Sequence, residues 1–259
     1  MDKMIIINWL RKQCSSEKFV IRFCAKRIFD IAHTVFTVKK FFCDKQFRNI
    51  VYLKAFHPKE LHQTTPTTKM NRYPHIFSAC QEYTKEKENL RILSFGCSTG
   101  EEVLTLRNYF HDATVVGAEI NLQSLKICRQ HSVDSKIHFI KSEPDELEKY
   151  APYDIIFCMA VFQRTPQLIA KKNITDLSKM YPFERFEEKV TELDKLLKVG
   201  GFLVIYFSQY DLMDTKISSN YEAYGNHIQD PYGTPMFDKN SKRVNGQIKR
   251  NSIFIKNKR

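Results

Sequence analysis

Two features of the sequence have the types and spacing to do chemistry. The first is Leu93-Ser94-Phe95-Gly96-Cys97-Ser98-Thr99-Gly100-Glu101-Glu102, where two glycines bracket a turn of small residues. Small residues let a ligand approach the backbone, and a helix starting there offers unpaired N–H donors. The second is Glu119, 19 residues after Gly100, ending Val115-Val116-Gly117-Ala118-Glu119 and followed by Ile120-Asn121. A carboxylate about 20 positions beyond a glycine turn can accept hydrogen bonds from both hydroxyls of a ribose. Together they predict a nucleoside ligand; the alternative for Glu119 is a strand-end acid that caps the next helix. A dinucleotide turn reads G-x-G-x-x-G so that a pyrophosphate can rest on the helix N-terminus, but Ser98 and Glu101 stand where its second and third glycines belong. A carboxylate there repels a pyrophosphate and suits a cationic amine.

The elements that must hold these residues follow from the pattern after residue 90. Short apolar strands are predicted at Arg91–Phe95, Thr114–Glu119, Ile137–Lys141, Tyr153–Cys158 and Phe202–Phe207. Helices are predicted at Glu101–Phe110, Leu122–Gln130 and Phe183–Leu197, the last stopped by Gly200-Gly201. Strands alternating with helices need crossovers, so the expectation is an α/β fold: a doubly wound, mostly parallel sheet covered on both faces. Ligands of such sheets bind at the carboxyl ends of the central strands. After the fifth strand, Met236–Asp238 and Ser252–Lys256 read as two further strand-like pieces, and the link 209–235 would overhang the pocket.

Upstream, Ile21, Cys24, Ala25, Ile28, Ala32, Val35 and Phe42 recur at helical spacing and predict an amphipathic helix over 17–42. A sustained apolar face is more often buried than interfacial, so docking on the core is expected. His57-Pro58 and Thr64-Thr65-Pro66-Thr67-Thr68 read as connectors, and Ile76–Tyr83 as a short helix. The domains expected are a basic helical extension or lid over 1–85 and a ligand-binding domain over 86–259.

Charge and cysteine usage set limits. The chain has 259 residues with 41 Lys+Arg against 29 Asp+Glu. Residues 1–60 carry 13 basic and 5 acidic side chains, and residues 237–259 carry 8 and 1, so the excess sits at the two ends. Basic ends attract phosphate or anionic lipid, or are simply solvated. No run approaches the roughly 18 apolar residues of a transmembrane helix, and no signal-peptide pattern opens the chain. Seven cysteines at wide spacings fit neither a zinc site nor a Cys-x-x-Cys pair, which predicts free thiols, no metal and a cytoplasmic location, with a peripheral membrane position as the alternative.

S-adenosylmethionine carries a cationic amine, a ribose and an adenine, and no phosphate. Residues 90 to about 208 resemble a class I S-adenosylmethionine-dependent methyltransferase, and the Gly96–Glu102 turn is similar to the Ser-Thr-Gly-Glu-Glu turn of chemotaxis-receptor glutamate methyltransferases. The resemblance implies a Rossmann-like, seven-stranded sheet with Ile253-Phe254-Ile255 as an inserted antiparallel strand, and S-adenosyl-L-methionine as cofactor. It implies that Gly96, Cys97, Ser98 and Gly100 pass the methionine moiety, that Glu101 meets the ammonium, and that Glu119 binds the ribose diol with Ile120 and Asn121 beside the adenosine. It further implies Ser142 at the adenine edge and Cys158 and Met159 near the transferred methyl. Ser94 departs from the family, since many members have an acid there. Glu101 also suits the helix dipole as an acid of a first turn. Arg72, in Asn71-Arg72-Tyr73-Pro74, could hold the cofactor carboxylate bidentately or be a surface arginine.

Methyl transfer from a sulfonium asks chiefly for positioning and exclusion of water, so no catalytic base is assigned. Tyr210, Asp211 and His227 are candidates if one is needed; His111 and His138 read as structural. The Asn/Asp-Pro-Pro-Tyr signature of amino-group methyltransferases is absent after the fourth strand, where the chain reads Cys158-Met159-Ala160-Val161-Phe162. Three functions stay open: a methyltransferase on a small molecule, glycan or protein carboxylate; an RNA methyltransferase using the basic ends; and a non-catalytic nucleoside-binding or membrane-surface module.

Overall fold

The computed structural model describes residues 14, 19–65, 67–230, 234–246 and 248–258. It divides into two compact units, 1–52 and 53–259. Ile76, Phe77 and Cys80 of the helix expected at Ile76–Tyr83 are buried in a core that includes strand residues.

The first unit contains α1 (Phe19–Cys43), and α2 (Lys45–Phe56) runs across the division. Asp44 between them accepts a hydrogen bond from the Phe47 N–H at 2.9 Å. The Arg48 guanidinium donates to the carbonyls of Phe41 and Phe42 at 3.0 and 2.7 Å, satisfying acceptors that a helix C-terminus leaves open. Helix α1 agrees with the predicted span 17–42 from residue 19 on, residues 17 and 18 lying outside the described residues. Its apolar face is not buried as expected, for Ile28, Val35 and Phe42 keep 53%, 63% and 72% of their surface.

The second unit is built on seven strands: β1 (Arg91–Phe95), β2 (Thr114–Glu119), β3 (Ile137–Lys141), β4 (Tyr153–Met159), β5 (Leu197–Tyr206), β6 (Tyr221–Ala223) and β7 (Ile253–Lys256). Their order is β3-β2-β1-β4-β5-β7-β6, and only β7 is antiparallel to its neighbours β5 and β6. Interspersed are α3 (Pro74–Tyr83), α4 (Glu101–Tyr109), α5 (Leu122–Cys128), α6 (Pro144–Glu148), α7 (Pro166–Lys171) and α8 (Phe183–Leu196). Alternate strand residues feed two cores. Leu93, Phe95, Ile156 and Leu203 pack with Phe186, Val190 and Leu193 of α8. Ile92, Ile155, Phe157 and Val204 pack with Ile76 and Phe77 of α3 and Val103 and Leu106 of α4. This is the doubly wound, mostly parallel seven-stranded sheet expected, with helical structure ahead of it.

Two expectations need correction. Strand β5 begins at Leu197, so Gly200-Gly201 lies inside a strand rather than stopping a helix; pairing with β4 shifts register between Tyr153 and Ile155. A Cβ on Gly201 would fall 2.9 Å from the carbonyls of Asp154 and Lys198, so close backbone approach is what the glycine provides. Met236–Asp238 forms no named strand, Phe237 making only an isolated bridge to Arg243, and Tyr221–Ala223 takes the edge instead. Ile253-Phe254-Ile255 does supply the inserted strand.

Among the described residues of 237–259, four basic side chains are engaged internally. Lys242 pairs with Asp176 at 2.6 Å, Arg250 with Asp211 at 3.3 Å and Lys256 with Asp194 at 3.0 Å, while Arg243 donates to Asn173 at 2.9 Å. Arg250 and Lys256 are buried.

Candidate functional site

The turn after β1 forms at the carboxyl edge of the sheet because the chain must leave a buried strand and enter α4 within five residues. Gly96 has φ +77°, and a Cβ there would lie 2.7 Å from a methyl of Val161. Ser98 also takes positive φ, +54°, and Gly100, at φ +101°, precedes α4 as its cap. The N–H groups of Gly96 and Cys97 both donate to the Ala118 carbonyl of β2, at 2.8 and 3.1 Å. Cys128 donates its thiol to the Ser98 carbonyl at 3.1 Å, and His131 Nε2 bonds the Thr99 carbonyl at 2.8 Å. The turn is therefore fixed from β2 and α5.

Glu119 reaches this turn from the end of β2. Its carboxylate accepts from the N–H groups of Ser98 at 2.8 Å and Asn121 at 2.7 Å. Burial raises its pKa to about 7, with the N–H donors of Asn121, Ser98 and Ile120 acting against the rise. Asn121 caps α5, its side chain accepting from the N–H groups of Gln123 and Ser124 at 3.0 and 3.2 Å. Ile120 between them is half-buried. Ser142, also half-buried, donates its N–H to the Glu119 carbonyl at 3.1 Å and so brings the end of β3 beside the same residue.

A narrow cavity opens against the turn, lined by Gly96, Cys97, Ser98, Met159, Arg72 and Tyr73, together with Glu102. The Cys97 contribution is its backbone side, since its thiol lies in the core near Gly117. Two hydroxyls of this lining, those of Ser98 and Tyr73, are buried without a hydrogen-bond partner. Unpartnered buried donors are costly and mark positions where a polar ligand completes the set. Arg72, part of this lining, stacks 5.1 Å over the Tyr73 ring and donates to the Thr67 carbonyl at 2.8 Å.

The acid in the lining is Glu102 and not the Glu101 that the resemblance implies. Glu101 accepts from the Thr99 hydroxyl at 2.7 Å and does not line either cavity described here. Glu102 accepts from the Ser94 hydroxyl at 2.7 Å, and burial raises its pKa to about 7 against that bond and the charge of Arg72. Ser94 of β1 thus holds an acid supplied by the first turn of α4. Cys158 lines neither cavity. Strand parity turns it into the core shared with Phe186 and Tyr181, where burial raises its thiol pKa, and only Met159 reaches the cavity.

A second cavity of about 350 Å³ adjoins the first, sharing Thr67 and Arg72 with it. Gln63, Gln163 and Gln167 line it with Thr65 and Thr165, and among the described residues Arg72 is its one titratable side chain. The Oε1 of Gln163 is buried there without a partner. Tyr210, Asp211 and His227 are engaged elsewhere: Tyr210 donates to Ser241 at 3.1 Å, Asp211 pairs with Arg250, and His227 bonds the Tyr83 hydroxyl at 2.6 Å. Among the described residues, no group of three or more His, Cys, Asp or Glu is placed to hold a metal ion.

Comparison with known proteins gives one family. Residues 86–251 match the family described as "Methyltransferase domain". No curated protein matches the chain. Similar solved structures include CalS10, a SAM-bound amino pentose methyltransferase from Micromonospora echinaspora, at 16% identity over 60% of this chain and 54% of that one, TM-score 0.38. The plantazolicin methyltransferase BpumL with SAH matches at 16% identity over 65% of this chain and 56% of its own, TM-score 0.38. PKMT2 from Rickettsia typhi matches at 18% over 44% and 20%, TM-score 0.34. The matches thus span little more than half of those chains at most, and at this likeness they carry no argument about the chemistry here.

Proposed function

The chain belongs to the methyltransferase-domain family, and on that premise we propose that its two cavities hold S-adenosyl-L-methionine and a methyl acceptor side by side. The observation that carries this reading is Glu119, a buried carboxylate tied to the Ser98 N–H at the mouth of the glycine turn. Its two oxygens suit a ribose diol, with Ile120 and Asn121 beside the adenosine and Ser142 at the adenine edge. The turn of Gly96, Cys97, Ser98 and Gly100 then follows the methionine moiety. Glu102, in place of Glu101, faces the ammonium, and Arg72 faces the carboxylate. The unpartnered hydroxyls of Ser98 and Tyr73 gain partners in that arrangement.

When bound, the cofactor supplies a methyl group on a cationic sulfur, ready for in-line displacement. The residues of this chain position and enclose: Met159 borders the reacting end, and the amides and hydroxyls of the second cavity orient the acceptor. Among the described residues, that lining contains no general base. Of the acceptor classes left open by the sequence, a carboxylate fits best, because it arrives with no proton to lose. The RNA reading loses footing at the C-terminal end, where Lys242, Arg243, Arg250 and Lys256 are held by internal partners.

Calorimetric titration with S-adenosylmethionine, S-adenosylhomocysteine and NAD, on the parent and on Glu119→Ala, tests the proposal. Binding of the first two and its loss in the variant is the expected result. Binding of NAD alone, or of none, overturns it. Methyl label transferred to a carboxylate is released as volatile methanol by base, whereas ether and amine products keep it.

A further inference from the structure

We propose that α1 lies on the surface of a membrane rich in anionic lipid. At about 100° per residue, Val38, Ile31, Phe42, Val35, Ile28 and Phe36 fall within an arc of roughly 160°. Each of the six keeps at least half of its surface, from 50% at Val38 to 72% at Phe42. Exposed apolar area this continuous along one helix marks an interaction surface rather than scattered side chains. Helix α1 carries Arg22, Lys26, Arg27, Lys39 and Lys40 against the single acid Asp30. Lys26 and Lys40 lie beyond one rim of the arc and Arg27 beyond the other, all three exposed. Lys39 falls inside the arc, near the helix end, where a long side chain can run its charge out to the headgroups.

Charge decides the occupant. A second copy of the helix would bring like charge against like charge, and a coiled-coil seam needs a narrower stripe than one broadened by Phe36. Anionic headgroups supply the missing negative charge to both rims while the acyl boundary accepts the arc. No described helix is long and apolar enough to cross a membrane, so the helix lies in the interface plane. The exposed Lys26, Arg27, Lys39 and Lys40 of α1 are therefore assigned to a surface outside the molecule. The proposal does not depend on the methyltransferase chemistry.

The full chain should be sedimented with phosphatidylcholine vesicles with and without phosphatidylserine. Binding only to the anionic vesicles, falling as salt is raised, is expected. Ile31→Asp with Val35→Asp should abolish it, and Lys26→Gln with Lys40→Gln should weaken it about thirtyfold, at roughly 1 kcal/mol per cation near the surface. Unchanged thermal unfolding of each variant separates loss of binding from loss of fold. Equal binding to neutral vesicles, retention by the aspartate variant, or no vesicle binding together with a doubled mass in sedimentation equilibrium would overturn the proposal.

Discussion

Lowering the pH from about 8 to about 6 should stabilise the ligand-free protein and weaken its hold on the cofactor, with Glu119 responsible for a share of both. Burial raises the pKa of this carboxyl from 4.5 to about 7, and one unit corresponds to about 1.4 kcal/mol. Because the folded value lies above the unfolded one, the stabilising contribution is complete below about 4.5 and is lost as pH rises through about 7. Between pH 8 and 6 the gain is about 1.4 kcal/mol, or roughly 3 to 6 °C in thermal midpoint for a unit of this size. The ribose diol needs the charged form, which offers two accepting oxygens; protonation turns one of them into a donor. Affinity for S-adenosylhomocysteine should therefore fall about tenfold over the same interval. Glu102, also raised to about 7, adds a slope of the same sign to stability, and the histidines add their own. Glu119→Gln removes the Glu119 part alone. It also leaves the Ser98 or the Asn121 N–H facing an amide donor, a pH-independent cost of about 1 to 3 kcal/mol. The assay is differential scanning calorimetry without ligand and titration calorimetry with S-adenosylhomocysteine at both pH values. Identical pH slopes for parent and Glu119→Gln would refute the reasoning.

Glu102→Gln should weaken S-adenosylhomocysteine binding about tenfold by calorimetry while Glu101→Gln changes it by less than about twofold, because only Glu102 lines the cavity. Gly96→Ala puts a Cβ 2.7 Å from Val161 at φ +77°, so we expect a loss of about 2 kcal/mol in denaturant unfolding and of cofactor binding with it. Asp194→Ala removes the carboxylate that Lys256 and the Tyr221 hydroxyl bond at 3.0 and 2.7 Å in the core, leaving the Lys256 charge only backbone carbonyls as partners, and should cost about 3 to 5 kcal/mol. Asp194→Leu combined with Lys256→Met should recover part of that loss in the same denaturant assay.

The parallel strands were legible because each is a short apolar run between turn signals, and β1, β2 and β3 match their predicted spans to the residue. The failures have one cause: local sequence does not report partners. Leu197–Gly201 looks like a helix end and a glycine stop, yet it extends a strand because β4 lies beside it. Tyr221–Ala223 is too short to announce itself and exists through pairing with residues about 30 positions later. Within the site, the glycine turn and Glu119 were visible from spacing, whereas the choice between Glu101 and Glu102 depends on helix phase after a left-handed cap at Gly100. Cys158 and Met159 differ by strand parity, which a run of apolar residues on both faces conceals. The lining from Gln63 to Arg72 comes from a connector whose polar residues have no period to read.

The place of β7 has a consequence for synthesis on the ribosome. Strand β6 leaves the ribosome before β7 but joins the sheet only through it. Until residues 253–256 arrive, the Phe202–Val204 edge of β5 presents unpaired backbone groups to any passing strand. At about 5 to 20 residues per second, the gap between β5 and β7 lasts roughly 3 to 10 s, an interval in which the nascent chain holds most of its parallel sheet and a sticky border.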